Sequence, residues 1–291
     1  MTLARRPDHR DHAEHELEEH DRGLVYDLTT LDRRRMLKLL GFGGLSAGMF
    51  VIAGCGPAEG SGSASGAASG AASSAPSAVG ASCAVIPEET AGPFPGDGSN
   101  GPDVLSQSGV VRSDIRSSFG SSTTVAEGIP LTIQLTIQDG TDCAPLAGAA
   151  VYVWHCDREG GYSIYSPAVA DENYLRGVQE AGEEGVVTFT SIFPAAYPGR
   201  WPHIHFEVFP SLDMATDENN KIATSQVALP KDACDLVYAT AGYEQSVSNM
   251  TQLSLETDNV FRDDGAVHQL GTVTGSVADG MHVALVVPVN A

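Results

Sequence analysis

Between Tyr197 and His205 the chain reads Tyr-Pro-Gly-Arg-Trp-Pro-His-Ile-His, which brings one phenol and two imidazoles within nine positions. On a strand, the two-residue period puts His203 and His205 on one face and sends Ile204 into the opposite layer. Pro194, Pro198 and Pro202 make the approach stiff and irregular, so Tyr197 can fold back over the histidines instead of continuing the strand. Tyr162, upstream after Gly160-Gly161, supplies a second phenol. A phenol ionises near pH 10, so a tyrosinate ligand at neutral pH requires a strongly polarising cation that favours a hard anionic oxygen. Two phenolates and one hydroxide balance the three charges of Fe(III) and leave a neutral centre, which a low-dielectric interior tolerates. Zinc and ferrous oxygenase sites typically use other donor sets, so the count favours ferric iron.

A competing reading takes His203, His205 and Glu207, which share one strand face, as a His-x-His-x-Glu array of the copper, zinc or cupin type. It leaves both tyrosines without a role. Arg200 stands three positions before the first imidazole, where a guanidinium can stabilise negative charge developing on a bound ring. His155, beside Trp154 and Asp157, reads as a strand histidine or one that supports the ligands from behind, not as a ligand, and His268 and His282 read as structural.

Two longer runs carry a resemblance. Pro145 to Asp157, followed by Gly161-Tyr162-Ser163, resembles the first half of the signature of intradiol ring-cleavage dioxygenases. Tyr197-Pro198, Arg200 and His203-Ile204-His205-Phe206 resemble the second half. Glu89-Thr90-Ala91-Gly92-Pro93-Phe94 resembles the segment that leads into the family's domain, and Ser225-Gln226 falls where the family carries a substrate-pocket glutamine. The resemblance spans about Cys83 to Ala291. It implies a non-haem Fe(3+) cofactor held by Tyr162, Tyr197, His203 and His205, with catalytic roles for Arg200, Tyr197 and Gln226. It also implies a catechol-type substrate and O2, with the ring opened between its hydroxylated carbons to a cis,cis-muconate-type dicarboxylate. In that scheme Tyr197 takes a catechol proton and leaves the metal, opposite His203, while Arg200 stabilises the carbanionic carbon. Two other classes stay open beside it: a non-catalytic transthyretin-like binding module, and the cupin-like metalloenzyme using His203, His205 and Glu207.

The elements needed to position these side chains are strands. Leu131 to Gln138 alternates apolar with Thr/Gln and ends at an Asp139-Gly140 turn, the pattern of a half-buried antiparallel strand. Val151 to His155, Val186 to Phe193, His203 to Phe209 and His282 to Val289 are further β-rich runs, and only short turns are expected near 168 to 180. The expected fold is all-β, an antiparallel β-sandwich with long irregular loops and few short helices, which agrees with the family's fold.

Three segments are expected along the 291 residues. Residues 1–55 combine a charged leader, carrying four of the nine histidines, with an export signal. Arg33-Arg34-Arg35 begins a twin-arginine pattern, and Leu39 to Ala53 is an apolar stretch of roughly 15 residues, within signal-peptide range and short for a membrane span. Ile52-Ala53-Gly54-Cys55 has the form of a lipoprotein cleavage box, so Cys55 is the expected lipid anchor and the outer face of the cell membrane, or the extracellular space, the expected location. Residues 56–82 are a Gly/Ser/Ala-rich tether. Residues 83–291 form one domain with a substantial core. That tether stands where catechol dioxygenases carry a dimer-building helical segment, so dimerisation by that route is not expected.

Formal net charge is −21, and after Cys55 there remain 8 basic and 28 acidic residues. Such a surface argues against nucleic acid and anionic membrane as partners, leaving membrane contact only through the lipid anchor. Cys83, Cys143, Cys156 and Cys234 allow up to two disulfides with three possible connectivities, or a buried free thiol at Cys156.

Overall fold

The computed structural model describes residues 83–291. The twin-arginine run, Cys55 and the tether expected at 56–82 lie outside the described residues. Within them the strands are β1 (Pro130–Asp139), β2 (Ala150–Trp154), β3 (Arg176–Glu180), β4 (Val186–Ile192), β5 (His203–Phe209), β6 (Ala223–Ala228), β7 (Thr272–Ser276) and β8 (Gly280–Val289). Two short helices, α1 (Lys231–Tyr238) and α2 (Glu244–Met250), follow β6. One sheet has the order β4-β1-β8-β7 and the other β3-β2-β5-β6.

The alternation in β1 does what its pattern predicts: Leu131, Ile133, Leu135 and Ile137 are buried and the Thr/Gln positions between them are partly exposed. They meet Val151 and Val153 of β2 and Ile204, Phe206 and Val208 of β5 in the core between the sheets. Every residue of β5 is nonetheless buried. Its second face, with Tyr152 and Trp154 of β2, is covered by the loops, which bring Phe94, Val104, Leu105 and Tyr162 against it. The sheet carrying the histidines is therefore dry on both sides, and that second face is where the site lies.

The sandwich is all-β as expected, with two departures. β1 and β8 pair in parallel, from Leu131 with Met281 to Asp139 with Val289, while the other five ladders are antiparallel. A parallel pair needs a long crossover, and here almost the whole domain is that crossover. The turns expected near 168 to 180 resolve into a single 3-10 turn at Pro167–Val169 followed by β3. The strands without a clear sequence signal are β3, β6 and β7, each of five or six residues and two of them interrupted by glycine.

Of the two disulfides the cysteines allow, one forms: Cys83 joins Cys143, while Cys156 and Cys234 are buried free thiols. Both free thiols sit in apolar surroundings away from any sulfur partner. Among the described residues, no helix is long and apolar enough to cross a membrane.

Candidate metal centre

A row of paired residues crosses three strands: Trp154 of β2 opposite His205 of β5, and His205 opposite Gln226 of β6. Directly paired residues share a face, so β5 delivers its histidines beside both neighbours. The indole of Trp154 stacks on the His205 ring at 4.8 Å and 4°. Gly92, at φ +69°, crosses the same ring closely enough that a Cβ there would stand 3.4 Å from His205 Cε1. Trp201 O accepts a hydrogen bond from His203 Nδ1 at 2.6 Å, which fixes the tautomer and leaves Nε2 as a lone-pair donor.

The phenols arrive on two loops. After β2 the chain turns around Asp157, whose Oδ1 accepts from Gly161 N at 2.7 Å and Glu159 N at 3.1 Å. The next residue, Tyr162, is buried and packs against Phe94 at 4.9 Å between ring centres. Tyr197 enters from the proline-rich bend and stands edge-on to both Tyr162 and His203. It is only half-buried, and Pro198 and Gly199 after it are exposed.

Four donor atoms converge. Tyr162 Oη lies 3.3 Å from Tyr197 Oη and 3.5 Å from His203 Nε2. Tyr197 Oη is 3.4 Å from His203 Nε2, which is 3.0 Å from His205 Nε2. Ligands bonded to one metal at about 2.0–2.2 Å, at angles of 90–110°, stand roughly 2.8–3.6 Å apart. Four of the six pairs among these atoms fall in that range. Among the described residues no cluster of three or more His, Cys, Asp or Glu side chains could hold a metal, and an ion held at these imidazoles would need the phenols as well.

The electrostatics agree with that dependence. Burial first, and Arg200 second, hold His203 down to about 3, and burial and His203 hold His205 well below its usual value. Both imidazoles are neutral at pH 7, as metal ligands must be. Burial, then neighbouring Tyr197, push the Tyr162 phenol well up, so it ionises only against a strong cation.

Glu207 does not join the histidines. Its carboxylate, one row further along β5, faces Lys221 Nζ at 3.4 Å, and that amine is also 3.6 Å from Asp97 and 2.6 Å from Glu218. The His-x-His-x-Glu array shares a strand face yet is not assembled around one point, because Lys221 draws the carboxylate away from the imidazoles.

Arg200 and Gln226 stand side by side. Arg200 Nη2 donates to Gln226 Oε1 at 2.6 Å, and Gln226 Nε2 donates to Thr90 O at 2.9 Å. Arg200 Nε donates to Asp258 Oδ2 at 3.1 Å, with both side chains buried. His155, expected on the strand, lies one residue past the end of β2, with its ring nitrogens against Cys156 O and Ser191 Oγ. Sequence reasoning missed Asp258, a lone carboxylate in a loop with no motif around it, and the stacking role of Trp154.

A family model described as "Dioxygenase" matches residues 100–280. A chlorocatechol 1,2-dioxygenase of Rhodococcus opacus is 42% identical over 57 residues, 20% of this chain and 22% of that protein. A catechol 1,2-dioxygenase of Acinetobacter lwoffii is 38% identical over 69 residues, 23% of this chain and 22% of that protein. The matched stretches therefore span about a fifth of these curated relatives. An intradiol ring-cleavage dioxygenase of Tetranychus urticae superposes with a TM-score of 0.56 at 25% identity, covering 72% of this chain and 95% of that one. With more than half its length inside the family model and the fold to match, this chain belongs to the intradiol ring-cleavage dioxygenase family.

Proposed function

We propose that the chain binds Fe(III) through Tyr162, Tyr197, His203 and His205 and cleaves a catechol-type ring between its two hydroxylated carbons. Both atoms of O2 enter a cis,cis-muconate-type dicarboxylate. The observation that carries this reading is the convergence of two phenol oxygens and two imidazole nitrogens at 3.0–3.5 Å beside the guanidinium of Arg200. Ferric iron, when bound, supplies the electron-withdrawing centre that makes the ring reactive toward O2.

The residues divide the remaining work. Tyr162 and Tyr197 are unequal: the first is packed in, the second half-buried beside an exposed bend. Tyr197 is thus the phenol with room to move when it takes a proton from the incoming substrate hydroxyl. Arg200, oriented by Gln226 and Asp258, faces charge developing on the ring, where a fixed cation in a water-poor site is worth most. The loops over the β3-β2-β5-β6 sheet exclude water from the buried donors.

We place this activity outside the cytoplasm, tethered through Cys55. The twin-arginine run and the lipoprotein box support this, and the Cys83–Cys143 disulfide fits an oxidising compartment. Oxygen uptake on catechol, protocatechuate, hydroxyquinol and alkyl or chloro catechols, with product identification, tests the reaction. Iron-loaded protein should be red-brown from tyrosinate absorption; a colourless, fully loaded protein, or extradiol products, would sink the reading.

A further inference from the structure

We propose that Asp258 is a positioning residue that sets two parts of the site with one carboxylate oxygen: the guanidinium of Arg200 and, through the backbone of Trp201, the imidazole of His203. This rests on the proposed iron site and deepens it. Asp258 Oδ2 accepts from Arg200 Nε at 3.1 Å and from Trp201 N at 2.6 Å. The carbonyl of the same Trp201 takes His203 Nδ1 at 2.6 Å. One residue, Trp201, therefore separates the carboxylate from a proposed metal ligand, while a direct ion pair links it to the substrate-facing cation.

The carboxylate is itself held. Its other oxygen, Oδ1, accepts from Val260 N at 2.8 Å and Phe261 N at 3.0 Å, anchoring it to the turn that follows. Arg200 is thus gripped from both ends, by Asp258 at Nε and by Gln226 at Nη2. Packing supports this arrangement on the inner side, where Trp201 sits in an apolar cluster with Val260 and Phe261. Beyond Pro198 and Gly199 lies a cleft of about 380 Å³ that also reaches Asn249, Leu253 and Asp258. The bend at Pro198 and Gly199 faces that open space, so on this side polar ties hold its position. A buried carboxylate engaged by four N–H donors is suited to that, since the donors draw two segments, 200–201 and 260–261, to one point.

Asp258→Asn tests it in the iron-loaded full chain. An amide fits the same space, yet must present N–H₂ either to Arg200 and Trp201 or to Val260 and Phe261. Expected are a fall in kcat of about ten- to a thousandfold, a smaller change in KM, and a shift of the visible tyrosinate band through His203. Iron(III) uptake by the metal-free variant should weaken about tenfold, a readout independent of turnover. In an Arg200→Ala background, Asp258→Asn should add little further loss of kcat but still shift the band, because the two arms are separate. Asp258→Glu, which keeps the charge, should recover part of both, and serves alone if the Asn variant does not fold. Wild-type kcat and an unmoved band in Asp258→Asn overturn the proposal. So do fully additive losses with Arg200→Ala and an unmoved band, the signature of mere destabilisation. Should wild-type protein cleave no catechol, the reaction is misread; the iron-uptake and band comparisons then decide the role of Asp258 by themselves.

Discussion

The two tyrosines invite opposite expectations although both face the same three-ångström space. Tyr162 is buried and its ring is packed against Phe94, so Tyr162→Phe removes a fixed ligand, and the variant should lose iron on gel filtration and with it the colour. Tyr197→Phe should retain iron with an altered band, and turn over about 10²-fold more slowly for want of its proton acceptor, read by oxygen uptake. Glu207→Gln separates the rival metal array and a pH effect in one variant. The colour should stay, because that carboxylate is paired to Lys221. Burial holds Glu207 up to about 8, from the usual 4.5, against the opposing pull of Lys221. The folded protein then keeps a proton that the unfolded chain releases, so this residue makes stability fall as pH rises from about 4.5 to about 8. Denaturation midpoints at pH 5 and pH 8 should differ less in Glu207→Gln than in the wild type. At this scale the proposed ligands were legible because each carries a local signal: two imidazoles at a strand's period, and a phenol after a glycine pair. Asp258 was not, since it is 58 positions from Arg200 and only folding brings them together.

The elements explain why those side chains hold still. Arg176 of β3 is buried and donates through Nη1 to Pro95 O at 2.7 Å and Tyr152 Oη at 3.0 Å. Its Nη2 donates to Phe94 O at 2.9 Å and Ser163 O at 3.0 Å, and its Nε donates to Ser163 Oγ at 3.0 Å. One guanidinium so ties β2, the segment before the domain's first strand and the loop of Tyr162. Lysine cannot span that fork. Arg176→Lys should destabilise by about 3 kcal/mol, as charged hydrogen bonds are lost in a dry site, and should speed iron loss to a chelator. Strands with alternating or β-branched runs, such as β1 and β5, could be read directly. β3, with Gly177 inside it, and β6, rich in Ala, Ser and Gln, owe their conformation to the neighbours they pair with. The helices α1 and α2 are too short for periodicity to announce them.

Across the whole molecule the sandwich is closed by bonds between its distant parts. Cys83 and Cys143, 60 positions apart, pin the start of the described chain beside the loop after β1. In the loop-entropy picture such a link contributes about 4 kcal/mol; Cys83→Ser with Cys143→Ser should lower the melting temperature clearly while leaving the colour, since neither touches the donors. The sandwich class followed from strand patterns, but the parallel pairing of β1 with β8 did not, because partner choice between distant strands leaves no local trace. That pairing has a temporal side. β8 is an interior strand, lying between β1 and β7, and among the described strands it is the last to be made. Until Val289 has left the ribosome, β1 presents an unpaired edge of alternating Leu and Ile, the kind of surface that recruits another chain. Ile86 N and Gly140 N likewise wait for Pro288 O and Val289 O. The sandwich therefore closes only once β8 has been made, and until then the β1 edge has to be kept from pairing with another chain.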